Sequence, residues 1–162
     1  MDVSAPFTFS TEEELITSSG ALSVYHAAID ELTRRYGGSD EATHLSVEEL
    51  LPPRGTFLVS RVAGHPVGGV GLRRIGEPDR NLGEVKRLWV RPDLRRHGIG
   101  AALMGSIENT ARDMGYRQLY LETGYAQPEA VELYQHSGWT PVAEFPEGAF
   151  SYPGAYRFTK VL

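Results

Sequence analysis

Residues 95 to 101 read Arg-Arg-His-Gly-Ile-Gly-Ala and stand where an extended segment gives way to a helix. The first turns of a helix carry N–H groups without intrahelical partners and a partial positive charge, which suits a phosphate. Gly98 and Gly100 have no Cβ, so an anion can come close to the amides of His97, Gly98, Ile99, Gly100 and Ala101. An amide donating to a charged oxygen is worth roughly 1.5–3 kcal/mol, so three or four of them could anchor a pyrophosphate. Arg95 and Arg96 add positive charge in a chain whose formal net charge is −5. The same glycines also describe a helix that merely packs closely on a sheet, and alone they leave both readings open. A Walker A loop needs Gly-Lys followed by Ser or Thr, whereas Ala101 and Ala102 follow Gly100. A dinucleotide-binding loop begins directly after its strand; here seven residues separate Val90 from Gly98, and Leu103 stands where a third glycine or alanine belongs. That pattern stays as a weak rival, favoured by Glu122 at the end of the next strand.

Such a loop acts only if flanking elements hold it. "SSGALSVYHAAIDELTRRYGG" sets Leu22, Tyr25, His26, Ile29, Leu32 and Tyr36 at helical spacing, with Gly37 and Gly38 as a stop. "LSVEELLPP" predicts a short second helix closed by Pro52 and Pro53. "GTFLVSRVAG" and "HPVGGVGLRRIG" read as a hairpin, and "GEVKRLWV" continues the sheet. A helical face runs over residues 98 to 114, "QLYLET" is a strand, and Pro128 and Gly138 bracket a helix over "PEAVELYQHSG". "WTPVAEF" and "AYRFTKVL" supply two last strands. The class is therefore α/β of mixed (α+β) character. The strands at 84 to 90 and 118 to 123, joined by a helical crossover, are expected to be parallel, and ligands collect at the carboxyl ends of such strands.

With 162 residues and 41% hydrophobic content, the chain is expected to form a single domain over 1–162. Its negative charge argues against nucleic acid and anionic membrane as partners. No apolar run approaches the ~20 residues that span a bilayer, and "MDVSAPFTFS" is unlike a secretory signal, so a cytoplasmic location is expected. Without cysteine there is no disulfide, thiolate-bound zinc or cysteine nucleophile. His26, His44, His65, His97 and His136 lack metal-ligand spacing, so no metal is expected. "TEEEL" at 11 to 15 reads as a solvated acidic face, and Trp89, Trp139 and Phe158 as core.

Arg95-x-x-Gly98-x-Gly100 after "KRLWV" resembles the acyl-CoA pyrophosphate loop of the GNAT superfamily of N-acetyltransferases. "GEVKRLWVRP" before it, "YLETGYAQPEAVELYQHSGW" after it and a closing β pair with "YRFTK" extend the resemblance over about residues 55 to 162; the N-terminal part matches in its arrangement of a first strand and two helices. The resemblance implies a central mixed, mostly antiparallel sheet of six to seven strands, a V-shaped splay between two parallel strands, and about four helices on its faces. It implies acetyl-CoA as cosubstrate, its pantetheine arm paired with the backbone of Leu88, Trp89 and Val90 and its pyrophosphate on amides from Arg96 to Ala101. The reaction implied is direct attack on the thioester by a primary amine of a small molecule or peptide. The absence of a Gly-x-Ser-x-Gly elbow agrees with that.

Within the resemblance, Tyr134 of "ELYQHSGW" is similar to the tyrosine that protonates the departing sulfur, and Glu84 is placed where an acidic residue acts as base through a water. Alternation puts Glu84 on one face with Lys86, Leu88 and Val90, where a salt bridge to Lys86 or Arg87 is the competing role. Glu122 is the second candidate base, and a backbone N–H near Val90 the oxyanion donor. The acceptor is expected around Tyr25, Tyr36, Arg73, Glu84 and Tyr152. A homodimer is left open, and an acyl-CoA-binding sensor without turnover is the reading from another functional class.

Overall fold

The computed structural model describes residues 7 to 37 and 45 to 162; Gly38 and His44 lie outside them. Strand β1 (Ser10–Glu13) leads into helix α1 (Ser19–Tyr36), then strands β2 (Thr56–Val62), β3 (His65–Ile75) and β4 (Leu82–Val90). Helix α2 (Ile99–Asp113), strand β5 (Gln118–Thr123), helix α3 (Pro128–His136) and strands β6 (Thr140–Val142) and β7 (Tyr156–Val161) complete the order. The strands form one seven-stranded sheet, β1-β2-β3-β4-β5-β7-β6. Every neighbouring pair is antiparallel except β4 and β5, which are parallel. A dinucleotide-binding fold is built on a parallel sheet, so this topology removes that rival.

Among the described residues three α-helices form where about four were expected. The second expected helix shrinks to a 3-10 turn, Val47–Leu50, because Leu51 is already extended ahead of Pro52. "WTPVAEF" pairs only over Thr140–Val142, after which Ala143 turns its carbonyl to Arg157 Nη1 (3.1 Å). The acidic "TEEEL" stretch is largely exposed, but it also supplies edge strand β1: Glu13 accepts from the Thr56 hydroxyl, and Glu14 pairs with Arg61 at 2.9 Å.

Helix α1 covers one face of the sheet and α2 with α3 the other, each above its own apolar cluster. On α1 the buried stripe is Gly20, Ala21, Val24, Tyr25 and Ala28, while His26 is exposed, so the stripe is rotated toward small residues from the one expected. The cause is close approach to β3: a Cβ on Gly69 would lie 2.8 Å from Val24 Cγ1, and one on Gly68 would lie 3.4 Å from Leu103 Cδ1 of α2. Trp139 and Phe158 are core; Trp89 is only half-buried.

Candidate active site

The parallel pairing of β4 and β5 is short. Leu82, Gly83 and Glu84 lie opposite Gln118, Leu119 and Tyr120, and beyond them the strands part, β4 continuing beside β3 and β5 beside β7. The parting coincides with a bulge in β4, where the register to β3 shifts between Gly69 and Gly71 and Arg87 takes φ 60°. A bulge adds one residue, bends the strand and reverses its alternation. Val85, Leu88 and Val90 therefore pack into the cluster under α2, whereas Trp89 packs on the α1 side. The expected common face of Glu84, Lys86, Leu88 and Val90 is broken by this one residue.

At the open end of the fork the α2 mouth faces a cleft of about 530 Å³, within the ~300–1,000 Å³ usual for small-molecule sites. Gly98 is the N-cap with φ 86°, no side chain caps the helix, and the bond from Ala102 N–H to the Gly98 carbonyl opens its ladder. The N–H groups ahead of Ala102 are thus the unpaired donors of the first turn. Arg96 is also left-handed, with φ 66°. A Cβ on Gly98 would meet nothing within 4 Å, and one on Gly100 would reach Leu133 at 3.6 Å, so both glycines keep the cleft wide rather than relieve a clash. The cleft is lined by Leu88, Trp89, Val90, Arg95, Arg96, Gly98, Ile99, Gly100 and Ala101, together with Tyr134. His97 is the one predicted cofactor residue outside this lining; its ring packs on Phe7 at 4.7 Å and its Nδ1 faces the Leu94 and Arg95 carbonyls.

Arg95 has a more specific place than a loose positive charge. Its Nε donates to the Val90 carbonyl (2.8 Å) and its Nη2 to Glu31 of α1 (2.6 Å). Glu31 also pairs with Arg35 (3.4 Å), which reaches Glu129 at the start of α3 (2.5 Å). Only Glu31 and Arg35, four residues apart on a helix, were detectable as a pair from sequence. The bond from Arg91 N–H to the Val67 carbonyl (2.7 Å) turns Val90, by antiparallel alternation, toward the fork.

The two candidate carboxylates separate sharply. Glu84 is fully buried, its Oε1 held by Arg73 Nε (2.9 Å) and Nη2 (2.8 Å), with Lys86 Nζ 3.6 Å from Oε2. The expected salt bridge to Lys86 is present, and Arg73 is the stronger partner. Glu122 lines a small cavity of about 50 Å³ together with Lys86, Trp89, Gln127 and Tyr134. Burial raises its pKa, partly offset by bonds to Oε2 from the Ser151 hydroxyl (2.6 Å) and the Tyr152 N–H (3.3 Å). Its Oε1 is buried without a hydrogen-bond partner among the described residues. Burial lowers the Lys86 pKa, with Glu84 opposing.

Tyr134 lines both cavities and packs against Phe158 (5.8 Å) and Trp139 (6.3 Å). Burial pushes its phenol far above the ordinary value. Of the expected acceptor residues, Tyr25 is core against Phe57, and Arg73 and Glu84 are consumed by their ion pair. Tyr36 donates to Gln127 Oε1 (3.1 Å) beside the cavity, and Tyr152 reaches Glu122 through its backbone. Gln127 and Ser151 were missed, because each joins the site through contacts distant in sequence, and Lys86 was read as a partner of Glu84 without its place beside Glu122. Among the described residues no group of His, Asp or Glu side chains could hold a metal, and no helix is long and apolar enough to cross a membrane.

The family model described as Acetyltransferase (GNAT) family matches residues 23–139. An IAA acetyltransferase of Azospirillum brasilense is 38% identical over 120 residues, 72% of this chain and 77% of that protein. N-acetyltransferase 8 of Homo sapiens is 36% identical over 93 residues, 55% of this chain but 40% of its own length. Among solved structures, a GNAT-family acetyltransferase of Staphylococcus aureus superposes with a TM-score of 0.79 at 17% identity, over 95% of this chain and 99% of that one. The PaiA N-acetyltransferase of Thermoplasma acidophilum, solved in complex with coenzyme A, gives 0.70 at 15% identity over 96% and 99%. The fold and family together define an acyltransferase. The chain belongs to the acetyltransferase (GNAT) family.

Proposed function

We propose that the protein transfers the acetyl group of acetyl-CoA to a primary amine of a small molecule or peptide, in the cytoplasm. The observation that carries this reading is that the uncapped mouth of α2 and the phenol of Tyr134 line one cleft, and that Tyr134 also lines the cavity beside Glu122. The names of the curated relatives support it, as does the coenzyme A complex of a structural neighbour.

The residues present fit the cosubstrate. The amides of residues 98 to 101 offer donors to a diphosphate, with Arg96 adding charge, and no Cβ blocks approach at Gly98 or Gly100. The edge of β4 that faces the fork at Leu88, Trp89 and Val90 can take an extended arm as an added strand, and the Val90 N–H is the donor for the acyl oxygen. Acetyl-CoA supplies an acyl group already activated as a thioester; the chain supplies proton transfer and positioning. Glu122 takes the amine proton, since a carboxylate raised by burial is a better base near neutral pH. Tyr134 stays protonated because its phenol is buried, and it donates to the departing sulfur. Glu84 serves instead as the fixed counter-ion of Arg73 and Lys86.

Calorimetry with acetyl-CoA, followed by thiol release over a panel of small amines and N-terminal peptides, tests the reading. Binding heat and release with at least one amine is the expected result. Binding without release for any amine makes the protein a non-catalytic acyl-CoA module, and no binding heat ends the proposal.

A further inference from the structure

Glu122 is held from outside its own strand, by the segment between β6 and β7. The Ser151 hydroxyl donates to Glu122 Oε2 at 2.6 Å, and Arg157 Nε donates in turn to Ser151 Oγ at 2.5 Å. Arg157 also donates to the carbonyls of Tyr152 (2.8 Å) and Ala143 (3.1 Å), which fixes both ends of that segment. One oxygen of the carboxylate thus receives two donors, from Ser151 and Tyr152, while the other receives none.

We infer that Ser151, oriented by Arg157, is the positioning residue of the base: it occupies Oε2 and leaves Oε1 as the oxygen that receives the acceptor's proton. This rests on the assignment of Glu122 as base. The chain Arg157 to Ser151 to Glu122 puts a guanidinium two hydrogen bonds from the carboxylate, so charge is delivered through a hydroxyl rather than by a direct ion pair that would hold the group permanently ionised. The charged and titratable groups around it are Lys86, Glu84 and Arg87 from β4, Arg157 from β7, Tyr134 from α3 and Glu31 from α1.

The test needs no identified acceptor. With protein carrying ¹³C-labelled glutamate carboxyls, the Glu122 signal is assigned by its loss in Glu122→Gln and titrated in wild type, Ser151→Ala, Ser151→Thr and Arg157→Gln. Removing the hydroxyl donor should move the Glu122 titration upward by about one pH unit; threonine should restore it, and Arg157→Gln should move it in the same direction by less. An unmoved titration in Ser151→Ala, with the melting temperature retained, overturns the inference. Should Ser151→Ala fail to fold, Arg157→Gln and Ser151→Thr carry the same test. A second readout is the acid limb of kcat/KM for thiol release, with acetyl-CoA and the most active amine of the panel, which should follow the titration upward. A limb that stays while the carboxyl titration moves keeps Ser151 as the holder of Glu122, but it removes Glu122 as the base and with it the inferred role.

Discussion

Glu84 and Glu122 stand on the two arms of one fork, and the protein treats them in opposite ways. Glu84 occupies the last position of β4 paired with β5, with Arg73 and Lys86 converging on it and no exposed surface. Glu122 lies two residues past Tyr120, the partner of Glu84, where β5 has lost β4 as a neighbour and a cavity takes its place. Glu84 Oε2 and Glu122 Oε1 are both buried without a hydrogen bond among the described residues, so neither burial nor a spare oxygen makes a base by itself; what separates the two is that Arg73 and Lys86 stand within ion-pair distance of Glu84, whereas Glu122 is held by a hydroxyl and an amide.

The contrast breaks most severely at Glu122. Glu122→Gln should lower turnover by about 10²–10⁴-fold with acetyl-CoA affinity retained, measured by thiol release and calorimetry. Glu84→Ala should act on stability: it takes the buried carboxylate from Lys86 and leaves Arg73 with Glu49 (3.3 Å) as its ion-pair partner, and loss of one partner of a buried pair costs about 3–5 kcal/mol, readable in urea melts. Equal effects of the two substitutions on turnover at equal stability would erase the distinction. At the other end of the cleft, Gly100→Val places methyl groups where the diphosphate would lie and should weaken acetyl-CoA binding by at least roughly 1.5–3 kcal/mol, while thermal unfolding stays cooperative because the Cβ meets Leu133 only at ordinary contact distance. Tyr134→Phe should reduce turnover by no more than about 10²-fold, the low end for a general acid, and spare binding, because a thiol near ~8.5 leaves readily without help.

The smallest effect is on stability against pH. The Glu122 pKa is raised on folding, so the folded state holds its proton more tightly than the unfolded chain does. Its stabilising contribution is complete below the unfolded value of ~4.3 and is lost as pH rises through the folded value. The melting temperature of the wild type should fall relative to that of Glu122→Gln across this window; parallel curves would show that its burial carries no such penalty.

The open mouth of α2 was legible because an uncapped helix start is written locally, in which side chains are missing. Gly98 and Gly100 lie two residues apart and state their own geometry. The parallel pairing of β4 and β5 followed from element order, and the fork between them from the family resemblance. The ranking of the carboxylates was not legible, because the groups that decide it come from elsewhere: Arg73 lies 11 residues from Glu84, and Ser151 lies 29 from Glu122. Nor did any letter announce the bulge, since Arg87 is not a residue type that favours positive φ. The α1 stripe was misplaced because Ala21 and Ala28 carry little apolar signal of their own, while the close approach of α1 to glycine-lined β3, made at Val24, favours small residues beside it.

The additional residue of β4 sets the phase of everything after it. A chain that kept every residue of β4 but ran them as regular strand would send Leu88 and Val90 into the layer beneath α1 and swing Trp89 under α2, exchanging the walls of the cleft while leaving strand order untouched. Substitutions that favour regular strand over the left-handed backbone at Arg87 are thus a route by which this scaffold could change what it accepts without changing its topology.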